Sequence, residues 1–272
     1  MDAYAVIGHP ISHSKSPLIH SMFAQATAQD LVYTAIDGPL DGFGATVQAF
    51  RARGGRGMNV TAPFKVQAWE LADERTDRAT RAGAVNAFKF EDGRIRADNF
   101  DGIGLVNDIQ RNLGVKLAGK RVLLLGAGGA TRGALLPFIA ERPARLAIAN
   151  RDLAKARRLV AGLGDAGAVV CGTYADFADE RFDLVVNATS ASLHGELPPL
   201  APQVFGPGCL AYELFYGNGL TPFLRLARNA GAHQLADGVG MLVEQAAEAF
   251  TWWRGVRPDT QAAIERLTVP LV

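Results

Sequence analysis

The sequence predicts a two-domain α/β protein. Three observations carry this expectation. A glycine-rich strand-turn-helix, RVLLLGAGGATRG from Arg121 to Gly133, lies near the middle of the 272 residues and leaves room for a whole domain ahead of it. Apolar runs alternate with helical patterns on its N-terminal side. A last helical segment carries an apolar face that needs a partner. The central motif reads as the opening of a Rossmann-type dinucleotide-binding domain, preceded by an N-terminal α/β domain.

Taken in order, Tyr4 to Ile7, Val32 to Ile36 and Gly57 to Val60 are strand candidates, separated by helical patterns near 17 to 26, 40 to 53 and 64 to 72. Ala87 to Phe90 and Arg94 to Ala97 flank Asp92-Gly93, a pair suited to a two-residue hairpin turn, and are expected to close the first sheet. Ile103, Val106 and Ile109 repeat at helical spacing and should bridge the domains. Val122 to Leu125 form a short apolar run fit for a strand buried on both faces. A helix follows through Leu135, Leu136 and Ile139, then a strand from Leu146 to Ala149 and a helix from 153 to 163. Val239, Leu242, Val243, Ala246, Phe250 and Trp253 share one helical face, expected to pack back on the first domain. The expected division is 1–102 plus 238–272 for one domain and 103–237 for the dinucleotide-binding domain.

Composition narrows the partners. A net charge of +1 with scattered basic residues gives no footprint for nucleic acid or an anionic membrane. No apolar run is long enough to span a bilayer, and Asp2 stands where a signal peptide is basic, so a cytoplasmic protein is expected. Cys171 and Cys209 lack paired spacing and read as small hydrophobes. The five histidines are dispersed, and no metal is expected. The partner is a small molecule, and the chain a monomer or homodimer.

At the glycine turn, Gly126, Gly128 and Gly129 let backbone N–H groups at a helix start approach a diphosphate, whose charge the helix dipole favours. The next strand ends in Asn150-Arg151-Asp152, where such folds read the adenosine ribose. An acid there favours NAD; a cation favours the 2′-phosphate of NADP. Both are present. Arg151, with Lys155, Arg157, Arg158 and Arg132, tilts the reading to NADP, while Asp152 keeps NAD open and also suits the first turn of the following helix.

Other polar residues stand where a fold does not require them. Ser14 and Ser16 precede a helix, with Pro17 after Ser16 as a helix-start pair. Capping alone explains Ser16, but two hydroxyls at a helix start also suit a carboxylate. Asn59-Val60-Thr61-Ala62-Pro63-Phe64-Lys65 puts polar groups at the C-terminal end of a strand. Lys65 falls in a helix first turn, where the dipole disfavours a cation. Asn86 and Asp101 flank the hairpin; a turn amide and a helix cap are their structural alternatives.

SHSKSP, NVTAPFK, AGAVN, DNFDG, GAGGATR, NATS from Asn187 and ADGVGMLVEQA from Ala236, in this order, resemble the shikimate dehydrogenase family nearly end to end. The resemblance implies NADP-linked interconversion of 3-dehydroshikimate and shikimate, or a closely related cyclic hydroxy acid, in aromatic amino acid biosynthesis on the way to chorismate. It implies that Lys65 and Asp101 are the catalytic pair, that Ser14 and Ser16 hold the ring acid's carboxylate, and that Thr61, Asn86 and Gln245 bind ring hydroxyls, with Phe100 and Tyr216 also beside the substrate. Gly126, Ala127, Gly128, Gly129, Ala130, Asn150, Arg151, Lys155, Thr189, Leu214 and Gly238 are the implied cofactor residues. Five residues depart from the family pattern. Phe100 and Ala87 each replace a threonine and remove a hydroxyl close to the expected substrate, Glu213 replaces aspartate, Ser192 replaces glycine, and Asp152 replaces threonine. The departures at Phe100 and Ala87 point to a diverged relative with an altered pocket. Oxidation of quinate or another cyclic polyol acid is the competing activity, and a non-catalytic NADP and ring-acid sensor the competing class. Retention of both Lys65 and Asp101 favours an enzyme.

Overall fold

The computed structural model describes residues 1–163, 168–217 and 219–272. These fall into two compact units, Met1–Gly104 with Val243–Ala263, and Leu105–Leu242 with Ile264–Val272.

The first unit runs β1 (Asp2–Gly8), α1 (Ser16–Ala26), β2 (Leu31–Asp37), α2 (Phe43–Ala52), β3 (Gly55–Val60), α3 (Lys65–Leu71), β4 (Glu74–Arg75), α4 (Asp77–Ala82), β5 (Ala87–Glu91) and β6 (Arg94–Asp98). The sheet order is β2-β1-β3-β5-β6-β4. Helical crossovers make β2, β1 and β3 parallel, and a two-residue turn makes β5 and β6 antiparallel. Asp92 and Gly93 both take positive φ, 52° and 75°, as the predicted hairpin turn demands. The hairpin does not end the sheet: β4 pairs outside β6. Two residues are too few to show an alternation, and the six of α4 carry only buried Ala79 and Ala82 toward the core, so neither element has a periodic signal.

Helix α5 (Asp101–Asn107) begins in the first unit and ends in the second, where it passes into a π-helical turn at Asp108–Asn112. The second unit continues through β7 (Arg121–Leu125), α6 (Gly129–Ala140), β8 (Arg145–Ala149), α7 (Leu153–Ala161), β9 (Val169–Gly172), β10 (Phe182–Asn187), β11 (Phe205–Glu213), α8 (Pro222–Asn229) and β12 (Gln234–Ala236). All six strands are parallel in the order β12-β11-β10-β7-β8-β9, the doubly wound Rossmann arrangement with its switch point between β7 and β10. Successive residues of each strand feed opposite cores. Val122, Leu124, Leu146 and Ile148 pack on one face, and Leu123, Leu125, Ala147 and Ala149 on the other. Burial on both faces is why these strands read as unbroken apolar runs. Cys209 is buried, which pushes its thiol up to about 12, and Cys171 is half-buried; neither is in a disulfide.

The chain ends with α9 (Val239–Arg254) and α10 (Gln261–Leu267). Ala249 and Trp253 of α9 pack in the first unit with Tyr4, Val6, Tyr33, Ala87 and Phe100. On the opposite face of that sheet Ala5, Ile7, Met58 and Phe88 meet Phe43 and Phe64. Among the described residues no helix is long and apolar enough to cross a membrane.

One polar ring lies inside the aromatic layer. His20 of α1 is 1% exposed and stacks on Tyr33 with centroids 4.1 Å apart and planes 5° from parallel. Phe23, Phe250 and Trp253 surround it. Neither ring nitrogen has a hydrogen-bond partner among the described residues. Burial drives the imidazole from 6.5 down to about 3.

As pH falls below about 6.5 the unfolded chain takes up a proton that folded His20 refuses, so its contribution to stability is present above that pH and lost on acidification. Relative to His20→Phe, the wild type should lose up to ~1.4 kcal/mol per pH unit between pH 6 and 4. Urea unfolding at several pH values measures this; parallel stability curves for the two proteins would refute it.

Candidate active site

In the first unit, β3 delivers Asn59 and Val60 to the C-terminal edge of the sheet, and the chain turns through Thr61-Ala62-Pro63 into α3, whose first residue is Lys65. An ammonium there faces the positive end of a helix. It is held by Asp101, whose Oδ2 lies 2.6 Å from Lys65 Nζ, with the two side chains 34% and 16% exposed. Asp101 stands in the first turn of α5, the favourable end for a carboxylate, and its N–H donates to Asn99 Oδ1 at 3.1 Å.

Asn86 organises this pair. Its Nδ2 donates to Asp101 Oδ1 at 2.8 Å and to Gln245 Oε1 at 3.3 Å, while its Oδ1 accepts from the Phe100 N–H at 2.9 Å. The Asn86 carbonyl in turn accepts from Asn59 Nδ2 at 3.2 Å, and Asn59 Oδ1 accepts from the Tyr33 hydroxyl at 2.7 Å. Lys65, Asp101, Asn86 and Gln245 therefore meet in one cluster. Asn59 and Tyr33 are additional members that sequence reasoning missed. A buried asparagine near a strand end was the available signal for Asn59; its partner Tyr33 sits two strands away on β2, where no local pattern reaches.

Ser16 meets this network at Tyr33: burial pushes the phenol well up, and a hydrogen bond with Ser16 pulls the other way. Ser16 is not the helix cap. Helix α1 starts at Ser16, Lys15 occupies the cap position, and Ser14 Oγ accepts from the Ser16 N–H at 3.3 Å. The helix thus starts one residue earlier than a capping serine requires, with Pro17 at its second position. Thr61 sits against β1, its N–H donating to Ile7 O at 2.9 Å, and a Cβ on Gly8 would come within 2.5 Å of its methyl.

Phe100 differs from expectation. Its side chain is a core group, 4% exposed, set edge-on to Trp252 with centroids 5.7 Å apart and lying 5.2 Å from the Arg78 guanidinium, which Asp98 clamps through two hydrogen bonds of 3.0 and 2.6 Å. Ala87 belongs to the same cluster. Both departures are therefore buried apolar groups of one cluster. Only the backbone N–H of Phe100 reaches the Lys65 cluster.

In the second unit β7 ends at the glycine turn. Gly126 has φ +98°, and a Cβ there would lie 3.0 Å from the Thr189 methyl. Thr131 Oγ1 donates to Gly126 O at 2.8 Å, pinning the turn to α6. A Cβ on Gly128 or Gly129 would meet nothing, so bare backbone faces open space at the start of this 12-residue helix. A diphosphate fits that cradle. Ala127 is buried and Ala130 half-buried beside it.

Past β8, Asn150 Nδ2 donates to Asp152 O at 2.7 Å, and the Asp152 carboxylate caps α7 by accepting from Lys155 N at 3.0 Å. Arg151 is exposed and, with Thr189, Tyr174 and His194, lines a cavity of about 180 Å³. Lys155, Arg157 and Arg158 are exposed on α7, as is Arg132 on α6. After β10, buried Asn187 accepts from the Thr189 N–H at 3.2 Å and its hydroxyl at 2.7 Å. Gly238 and Leu214 touch so closely that a Cβ on the glycine would lie 2.1 Å from Leu214 O. Tyr216 is half-buried; burial raises its phenol pKa, and the nearby Asp237 charge adds to the shift.

The chain is similar to known proteins in sequence and fold. Residues 6–88 match the family model of the shikimate dehydrogenase substrate binding domain, residues 108–194 that of shikimate / quinate 5-dehydrogenase, and residues 238–268 that of the shikimate 5'-dehydrogenase C-terminal domain. The chain is 55% identical over 271 residues to a shikimate dehydrogenase (NADP(+)) of Dechloromonas aromatica, covering 100% of this chain and 99% of that one. The crystal structure of an Ael1 enzyme from Pseudomonas putida is similar at 63% identity and TM-score 0.98, with 100% of both chains covered. A shikimate 5-dehydrogenase from Thermus thermophilus, in complex with NADP(H) and shikimate, is similar at 32% identity and TM-score 0.85, covering 97% of this chain and 98% of that one.

The glycines separate folding from binding. Gly126→Ala, strained at positive φ, should lower stability by about 1 kcal/mol or more. Gly128→Ala, whose methyl meets no protein atom, should leave thermal unfolding unchanged yet weaken dinucleotide binding at least tenfold by calorimetry. Unchanged binding by Gly128→Ala would rule out the cradle.

Proposed function

The chain belongs to the shikimate dehydrogenase family and is an NADP-dependent oxidoreductase, and we propose that Lys65 and Asp101 handle the proton while the first unit holds a shikimate-class ring acid. The observation that carries this reading is the 2.6 Å pair of Lys65 and Asp101, with Asn86 on the far oxygen of the carboxylate. NADP supplies or accepts the hydride when bound.

In ketone reduction the Lys65 ammonium donates a proton to the carbonyl oxygen, completing the alcohol as the carbon gains its hydride. Asp101 orients the ammonium: Lys65 Nζ donates to one of its oxygens and Asn86 Nδ2 to the other. In oxidation the same amine takes the alcohol proton back. Ser14 and Ser16 present hydroxyls for the substrate carboxylate, and Thr61, Asn86 and Gln245 donors and acceptors for ring hydroxyls.

On the cofactor side, the backbone of Gly126, Ala127, Gly128, Gly129 and Ala130 takes the diphosphate, and Asn150, Thr189, Leu214 and Gly238 line the remainder. Arg151, aided by Lys155, takes the 2′-phosphate. Asp152 is occupied as a helix cap, which supports NADP over NAD. A cytoplasmic location and a monomeric or homodimeric state complete the reading. Initial rates with NADP+ and NAD+ against shikimate and quinate test it, and no turnover with any pair would contradict it.

Lys65→Ala and Asp101→Asn should each lower kcat about 10²- to 10⁴-fold with little change in substrate KM. Wild-type kcat in either would remove the pair from the chemistry. Arg151→Gln should raise KM for NADP+ at least tenfold and leave KM for NAD+ nearly unchanged; equal effects on both would show that it does not read the 2′-phosphate.

A further inference from the structure

Two residues singled out in the sequence as departures, Ser192 and Glu213, prove to touch. Glu213 ends β11 with its side chain 0% exposed. Its Oε2 accepts from Ser192 Oγ, from Asn187 Nδ2 at 3.0 Å and from Thr221 Oγ1 at 3.1 Å, and its Oε1 accepts from the Phe215 N–H at 3.3 Å. Burial raises this carboxyl's pKa, and the donors from Ser192, Asn187, Phe215 and Thr221 pull it back. The four donors come from four different stretches of the chain. Asn187 closes β10, Ser192 follows in the next loop, Phe215 leaves β11, and Thr221 caps α8 by accepting from Leu224 N. Through its own Oδ1, Asn187 then fixes both the N–H and the hydroxyl of Thr189, the residue packed against the Gly126 turn.

We propose that Ser192 and Glu213 are a positioning pair for the cofactor: the buried carboxylate, braced by Ser192, sets Asn187 and thereby holds Thr189 beside the glycine turn. Neither side chain needs to touch NADP. The lengths suit each other, since a glutamate reaches one methylene further than an aspartate and the Ser192 hydroxyl meets its oxygen; a glycine at 192 would remove one of the three side-chain donors that fix this oxygen and leave Asn187 and Thr221 to hold it. The inference rests on the reading that the glycine turn and Arg151 take NADP.

Titration calorimetry of NADP+ into the full chain tests it, with Ser192→Ala, Glu213→Gln and the double variant, alongside thermal unfolding and steady-state rates. Ser192→Ala should raise the Kd for NADP+ about three- to tenfold. KM for NADP+ should rise in step, with kcat at saturating NADP+ within about twofold of wild type. The double variant should lose less than the product of the two single fold-changes, because both act through one carboxylate. A lower Tm with unchanged Kd in Ser192→Ala would overturn the pair's positioning role, as would a double variant equal to that product. If Glu213→Gln does not fold, Ser192→Ala alone decides. A wild type that fails to bind NADP+ would overturn the cofactor reading itself, and is told apart from the other failures because no variant is needed to see it.

Discussion

An ammonium in the first turn of a helix opposes the helix dipole, and the carboxylate of Asp101 is what makes Lys65 tenable there. The rest of the first unit's site is arranged around keeping that carboxylate in place. One oxygen faces Lys65, the other faces Asn86, and Asn86 spends its remaining groups on Gln245 and on the backbone of Phe100. Behind it stand Asn59 and the Tyr33 hydroxyl, in a buried layer where each lost partner leaves an unsatisfied polar group. Strand β3 anchors the lysine side and α5 the aspartate side. The Lys65–Asp101 pair is thus held in place by buried amides behind the carboxylate.

In the second unit the parallel sheet opens at its switch point, and the loops after β7 and β10 meet there as Gly126 and Thr189. Asn150-Arg151-Asp152 divides its groups between the helix end and solvent. Asp152 caps the α7 N-terminus, while the Arg151 side chain is exposed beside it. Glu213 gathers several loops in this half as an acceptor, where Asn86 in the other gathers Asp101 and Gln245 as a donor.

Features with a local physical signature were legible in the sequence. The apolar runs of β7 and β8, the Asp92-Gly93 hairpin and the glycine turn each state their conformation within a few residues. Lys65 stood out because its charge is wrong for its place. What remained hidden depends on partners distant in sequence. Phe100 looked like an intruder near the substrate because its neighbours Trp252 and Arg78 lie far along the chain in both directions. Glu213 and Ser192 registered as two separate oddities until folding joined them over 21 residues. Strand β4 was invisible because its only reason to exist is the edge of β6.

The most direct test of proton and hydride chemistry on this chain is a single-turnover reduction of 3-dehydroshikimate with NADPH deuterated at the transferable position, read by mass spectrometry of the product. Wild type should place one deuterium on the carbon that bore the carbonyl, and Lys65→Ala should form that labelled product at least a hundredfold more slowly. Unlabelled product, or equal rates in the two proteins, would contradict a hydride transfer completed by Lys65.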